Sequence, residues 1–78
     1  MPVLRLYDIH PGETCRILDI CHSRSEMYRL MELGFLPGAS VRCEILAPSG
    51  SPIVFWVNGA LIALRRSDCA QIGVVVCE

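Results

Sequence analysis

No apolar run in the 78-residue sequence approaches the ~20 residues that a membrane-spanning helix needs. Apolar segments such as Ile53–Val57 and Val74–Cys77 have the length of strands. The N-terminus also lacks the basic segment, apolar stretch and cleavage site that together mark a secreted protein. We therefore expect a soluble protein located in the cytoplasm.

The sequence also lacks the short motifs by which many proteins hold metals or phosphates. It contains no C-x-x-C pair and no G-x-x-x-x-G-K-[ST] loop. The cysteine count is odd, which argues against a disulfide framework in a protein without a secretion signal. We expect most of the five cysteines to be small buried apolar residues: Cys15, Cys21, Cys43, Cys69 and Cys77.

Lysine is absent, and all seven basic residues are arginine, which suits interfaces between proteins. The formal net charge is −1, so we expect no nucleic-acid partner and a membrane contact only through another protein. A domain of 78 residues has little volume for an internal active site. We expect no catalytic activity and no bound cofactor.

The pattern of the remaining residues predicts one mainly β domain that spans residues 1–78. Alternation places Val41, Cys43 and Ile45 on one face of a strand. A short helical turn is predicted over Arg65–Gln71, with Ser67 as its N-cap. Five strands in so short a chain indicate a small, strongly bent sheet or barrel. The predicted strands are Thr14–Cys21, Val41–Ile45, Ile53–Val57, Ala60–Leu64 and Ile72–Cys77.

One helix is predicted over Ser23–Gly34, where apolar residues recur at helical spacing. Ser23 and Glu26 have the spacing of a capping box, in which each side chain accepts a hydrogen bond from the other residue's backbone N–H. Gly34 occupies the position at which helices commonly end in the left-handed conformation.

The strands on either side of Asn58-Gly59 are predicted to form a hairpin that is apolar on both faces. Asn-Gly favours a two-residue turn, which places Val57 opposite Ala60. The face that we assign to the core carries Ile53, Phe55, Val57, Ala60, Ile62 and Leu64. The face that we expect to point outward carries Val54, Trp56, Leu61 and Ala63.

A surface cluster that contains a tryptophan commonly anchors an interface. The residues alone leave three alternatives for what covers this cluster: the helix or N-terminal segment of the same chain, a second copy, or a different protein. Other candidate contacts lie on the exposed helix side, in a loop and at an arginine pair: Arg24, Tyr28, Met31, Pro48–Pro52, Arg65 and Arg66.

Several segments, in this order and at this spacing, resemble the ferrous iron transport protein A family over nearly the whole chain. They are Leu6–Ile9 with Pro11–Glu13, Arg29–Gly38, Ala47–Ile53, Asn58-Gly59, Leu64–Ala70 and Ile72–Val74. The chain departs from the usual pattern at Ser51, where the family often has an acidic residue, and in its high cysteine count.

This resemblance implies a small SH3-like β-barrel with one α-helix and a short helical turn, located in the cytoplasm. Such proteins accompany a membrane permease for ferrous iron that carries a cytoplasmic G-protein domain, and they are thought to regulate it by protein contact. The chain is therefore expected to be an accessory protein of ferrous iron transport. The candidate contact residues are Val54, Trp56, Leu61, Tyr28, Met31, Pro48, Arg65 and Arg66.

Two alternative functions stay open at this point. The first is a metal-binding sensor or chaperone that uses Cys21 and His22. Neighbouring strand residues point to opposite faces, and thiolate is a poor choice for selecting ferrous iron, so we expect no metal site there. The second is a self-associating module in which Trp56 closes a homodimer.

Overall fold

A computed structural model describes residues 4–77. Its strands form one antiparallel sheet of six strands, in the order β1-β6-β2-β3-β4-β5. Residues 1–3 and 78 of the predicted domain lie outside that range. The strands are β1 Leu4–Arg5, β2 Thr14–Ile20, β3 Ser40–Leu46, β4 Ile53–Val57, β5 Ala60–Leu64 and β6 Ile72–Val76. The helices are a 3₁₀ helix Leu6–Asp8, α1 Arg24–Glu32 and α2 Arg66–Cys69.

The described helices are all too short or too polar to cross a membrane.

The hairpin of β4 and β5 has the predicted register. Val57 pairs with Ala60, and Ile53 pairs with Leu64. Both turn residues have positive φ, 49° at Asn58 and 83° at the glycine, as a two-residue hairpin turn of this type requires. Ala60 was predicted to face the core but is exposed, because it lies directly after the turn at the end of the sheet.

Two irregular positions in the ladder change which residues face the core. The pairing of β3 with β4 shifts between Cys43 and Ile45, and this bulge turns Ile45 outward, where its side chain is 57% exposed. The prediction that Ile45 shares a face with Val41 and Cys43 is therefore wrong. A second shift in β2, after Ile17, explains the imperfect alternation of the sequence at that point.

Helix α1 begins and ends close to the predicted residues, but its capping box is only half formed. Ser23 is the N-cap, and its hydroxyl accepts a hydrogen bond from the Glu26 backbone N–H at 3.4 Å. The Glu26 carboxylate does not reach back, because it accepts two hydrogen bonds from the Arg29 side chain instead. The Ser23 N–H donates to His22 Nδ1. Gly34 follows the helix with φ of 109°.

The start of the chain and the segment before β6 differ from the prediction. Strand β1 was not predicted; it has two residues, and Leu4 pairs with Val74 of β6. The N-cap of α2 is Arg65, not Ser67, which lies inside the helix. The Ser51 hydroxyl, from the loop before β4, accepts a hydrogen bond from the Arg66 backbone N–H at 3.1 Å.

The core lies between the inner face of the bent sheet, the 3₁₀ helix and α1. At its centre, the rings of Phe35 and Phe55 meet edge to face, with centroids 6.0 Å apart. Three of the predicted buried cysteines take part. The buried apolar residues are Leu6, Ile9, Cys15, Ile17, Leu30, Phe35, Val41, Cys43, Ile53, Phe55, Val57, Leu64, Cys69, Ile72 and Val74.

Candidate interaction surface

The outward side of the hairpin presents large apolar side chains to solvent. Trp56 is 43% exposed and Leu61, which faces it across the hairpin, is 58% exposed. Val54 is half-buried. Because both side chains keep more than two-fifths of their surface exposed, no segment within residues 4–77 buries them. This exposure does not support the first of the three alternatives, in which the helix or N-terminal segment of the same chain covers the cluster.

The bulge in β3 enlarges this apolar area. Ile45 pairs with Val54 across β3 and β4, and Ala63 pairs with Val54 across β4 and β5, so all three residues share one side of the sheet. Ile45 and Ala63 are exposed. We refer to Ile45, Val54, Trp56, Leu61 and Ala63 together as the outer hairpin face.

A charged pair borders the outer hairpin face. Arg42 pairs with Trp56 across β3 and β4, and its Nε donates a hydrogen bond to Glu44 Oε1 at 2.6 Å. Because the two charges compensate each other, this border adds polarity without net charge. An apolar centre with a polar rim is the usual composition of a protein-binding surface.

The second candidate surface lies on helix α1. Arg24, Tyr28 and Met31 recur at helical spacing on one side of the helix. Arg24 and Tyr28 are exposed, the latter by 53%, whereas Met31 is half-buried. This surface therefore offers one aromatic ring and one positive charge, and it belongs to a different element from the outer hairpin face.

The loop before β4 and the two arginines form a third group of candidate residues. Within it, the two arginine side chains make different contacts. Pro48 is exposed. The Arg66 guanidinium lies over the Tyr7 ring, 4.6 Å from its centroid, in a cation–π contact. Arg65 instead donates from Nε to Asp68 Oδ2 at 3.3 Å. The predicted arginine pair therefore does not present two free charges side by side.

Asp68 is a buried carboxylate that joins α2 to α1. Its oxygens lie 3.4 Å from an Arg29 nitrogen and 3.5 Å from His22 Nε2, in addition to the hydrogen bond from Arg65. Burial by itself would raise the pKa of Asp68. The hydrogen bond and charge of Arg65, the charge of Arg29 and the hydrogen bond of His22 outweigh it and lower that pKa. Asp68 is therefore held in its ionised form.

His22, Glu26 and Asp68 bring one donor atom each within 4.8 Å of one another, the arrangement of a candidate metal site. The Ser23 N–H donates to His22 Nδ1 at 2.9 Å, so a neutral ring carries its proton on Nε2, the nitrogen that faces Asp68. A cation bound at Nε2 would need the other tautomer and would disrupt that hydrogen bond. Two arginines already balance the two carboxylates, so the arrangement favours a structural ion-pair network.

The exposed thiol of Cys21 is not part of this group. Burial raises the pKa of the Cys15 and Cys69 thiols to about 12, and burial also raises the pKa of Cys43. The buried thiols are therefore protonated apolar residues near neutral pH, whereas Cys21 faces solvent. All five cysteines are free thiols.

Comparison with protein families identifies the chain. The model of the FeoA domain matches residues 4–76. This chain belongs to the FeoA domain family. The match spans almost all of the described residues, so the sheet, α1 and the outer hairpin face all lie within the FeoA domain.

Related proteins agree with this assignment. A fusion of Fe(2+) transport protein A with the Fe(2+) transporter FeoB, from Porphyromonas gingivalis, is 28% identical over 91% of this chain. This chain spans 8% of the length of that relative. The FeoA structure from Chlorobium tepidum is similar, with a TM-score of 0.90 at 28% identity, over 96% of this chain and 71% of that one.

A Stenotrophomonas maltophilia FeoA, solved in complex with zinc and described as a prokaryotic SH3 domain protein, is also similar. Its TM-score is 0.77 at 28% identity, over 95% of this chain and 89% of that one. The expected mainly β, SH3-like fold with one α-helix and a short helical turn is confirmed.

Sequence reasoning missed Ile45 as a surface residue and Asp68 as the centre of an ion-pair network. Ile45 joins the outer hairpin face only because of the bulge, and clean alternation in the sequence gave no sign of it. Asp68 follows Arg65 at a spacing of three, which could have indicated their contact within a helical turn. The contacts of Asp68 with His22 and Arg29 depend on long-range packing, for which the sequence has no local signal.

Proposed function

We propose that this protein is a cytoplasmic, non-catalytic accessory protein of a ferrous iron transport system. In this proposal it contacts the membrane permease, or the permease's G-protein domain, through the outer hairpin face. The observation that carries the proposal is the exposure of Trp56 and Leu61 as a facing pair on a sheet whose other side is a complete core.

The fused relative supports the choice of partner. Its name joins Fe(2+) transport protein A and the transporter FeoB in one chain. Fusion holds two domains at a high effective concentration, as is useful for partners whose contact is functional. We infer that the present chain makes the corresponding contact and reaches the membrane only through that partner.

The two other groups of candidate residues would have secondary roles. Tyr28 with Met31 on α1, and Pro48 with Arg66 beside the loop, would be additional points of contact with the partner. Arg65 would act indirectly, because its side chain is engaged by Asp68.

Uptake of radioactive ferrous iron tests the proposal in cells that contain the transporter but lack their own copy of this protein. The compared chains are native, Trp56→Arg and Leu18→Arg. Leu18 is a matched control, because it is 40% exposed but lies on β2, away from the hairpin. We expect Trp56→Arg to give the uptake rate of cells without the protein, and Leu18→Arg to give the native rate. Native uptake by Trp56→Arg at equal protein levels would contradict the proposal.

A further inference from the structure

Strand β5 is an edge strand, adjacent only to β4. Val57 and Ala60 flank a two-residue turn and so form a hydrogen-bonded pair of the ladder. From Ala60 onward, every second residue of β5 directs its backbone N–H and C=O groups to β4 in the same way. The residues between them, Leu61 and Ala63, therefore direct their backbone N–H and C=O groups to the open edge. Beyond the pairing with β4, no backbone hydrogen bond within residues 4–77 reaches β5.

This edge lacks four features by which proteins usually prevent strand pairing: short length, charge, proline and a bulge. β1, at the other end of the sheet, has only two residues, one of which is Arg5. β5 has five residues, none charged and none proline, and it pairs with β4 without a shift in register. It is therefore a template for another strand.

The sequence of β5 is complementary to itself. When two copies of the strand Ala60–Leu64 run antiparallel about Ile62, Leu61 of each copy lies opposite Ala63 of the other. Ala60 likewise lies opposite Leu64, so that each leucine meets an alanine, and the two copies of Ile62 meet on the axis. Leu61 and Ala63 are also the residues with free backbone groups, so each pair of them exchanges two hydrogen bonds.

We propose that the protein forms a homodimer by antiparallel pairing of β5 with β5 of a second copy, about a two-fold axis at Ile62. Neither strand carries a charge that would repel the other. The second copy is the occupant that fits, because the same two residues supply both the unpaired backbone groups and the complementary side chains.

Such a dimer differs from one that Trp56 closes, because pairing in the plane of the sheet leaves the outer hairpin face exposed. Trp56 faces Leu61, and Val54 faces Ala63, within one chain. Across the axis, Trp56 and Leu61 of one copy would continue into Ala63 and Val54 of the second. The dimer would therefore present one widened apolar surface made from both copies.

Sedimentation of the whole chain over a range of concentrations tests the proposal. Ala63→Pro removes the N–H that points to the open edge and leaves the ladder with β4 intact, whereas Ala63→Ser keeps that N–H. We expect the native chain and Ala63→Ser to dimerise alike. Loss of the two symmetry-related hydrogen bonds should weaken the Ala63→Pro dimer by about five- to a hundredfold.

Oxidative cross-linking gives a second readout that does not depend on the proline variant. In a Cys21→Ser background, Ile62→Cys places two thiols on the axis, with Cα atoms about 4.5–5.5 Å apart, within the range of a disulfide. Ala60→Cys places them about 13 Å apart. We expect the Ile62→Cys chain to form a covalent dimer and the Ala60→Cys chain to remain uncross-linked.

Three results would overturn the proposal: a native chain that stays monomeric at every concentration, an Ala63→Pro chain that associates as tightly as the native one, or equal cross-linking of the two cysteine variants. Each uses the isolated chain. Failure here is therefore distinct from failure of the transporter contact, which the uptake experiment reports.

Discussion

Arg29 of helix α1 lies 3.4 Å from the buried carboxylate of Asp68 in α2. The same carboxylate faces His22, the residue before the N-cap of α1. These contacts join α1 to the segment that precedes β6, although the two are distant in sequence.

Asp68→Asn is expected to lower the free energy of unfolding near pH 7 by about 1–3 kcal/mol, because it removes charge-assisted hydrogen bonds from a buried site. The folded-state pKa of Asp68 lies below its usual value. Its contribution is therefore complete above the pKa of an unfolded aspartate, about 3.9, and is lost as the pH falls through the lower folded-state pKa. Urea denaturation of both chains at a series of pH values measures the difference.

Asp19→Asn is the matched control for this experiment, because Asp19 is an exposed carboxylate on β2. We expect it to change stability by less than about 0.5 kcal/mol at any pH. The difference in the free energy of unfolding between the native chain and Asp68→Asn should shrink as the solution is acidified. A difference that stays constant or grows would show that the Asp68 charge does not stabilise the fold.

Gly34→Ala is expected to be one of the most destabilising small substitutions in the chain. A Cβ at Gly34 would lie 2.7 Å from Cγ1 of Val57, and the backbone there has φ of 109°. Gly38→Ala is the control, because it has a similar φ of 88° but no atom within 4 Å of the added Cβ. Backbone strain should cost each variant about 1–2 kcal/mol, and steric overlap should add about 1–3 kcal/mol at Gly34 alone. Equal thermal stability of the two variants would exclude the overlap.

Thiol reactivity should separate Cys21 from the buried cysteines. At pH 8 we expect a thiol reagent to modify Cys21 first, and to reach Cys15 and Cys69 only on unfolding, because burial raises their pKa to about 12. Peptide mass spectrometry after timed labelling identifies the modified residues. Rapid labelling of Cys15 or Cys69 in the native chain would be inconsistent with this burial.

Local signals in the sequence predicted the fold where short-range geometry decides it. Asn58-Gly59 determines the hairpin register because the turn permits only one pairing of Val57 with Ala60. Gly34 ends α1 for a similarly local reason. Strand β1 could not be predicted in this way, because its two residues become a strand only by pairing with β6.

The candidate surface was predictable in part. Alternation along the hairpin correctly placed Trp56 and Leu61 outside the core, although their role in binding stays a prediction. Ile45 was misplaced because a single bulge reverses the face of every residue beyond it. The network around Asp68 depends on how α1 packs against α2, and nothing in either segment indicates that contact.

Co-purification with the detergent-solubilised ferrous iron permease would show whether the outer hairpin face is a docking surface. Native chain, Trp56→Arg and the matched Leu18→Arg would be compared, each checked for an unchanged fold by circular dichroism. We expect native and Leu18→Arg to be retained with the permease and Trp56→Arg to be lost. Equal retention of Trp56→Arg would place the contact on α1 or the loop before β4, and retention of none of the three would contradict the proposed partnership itself.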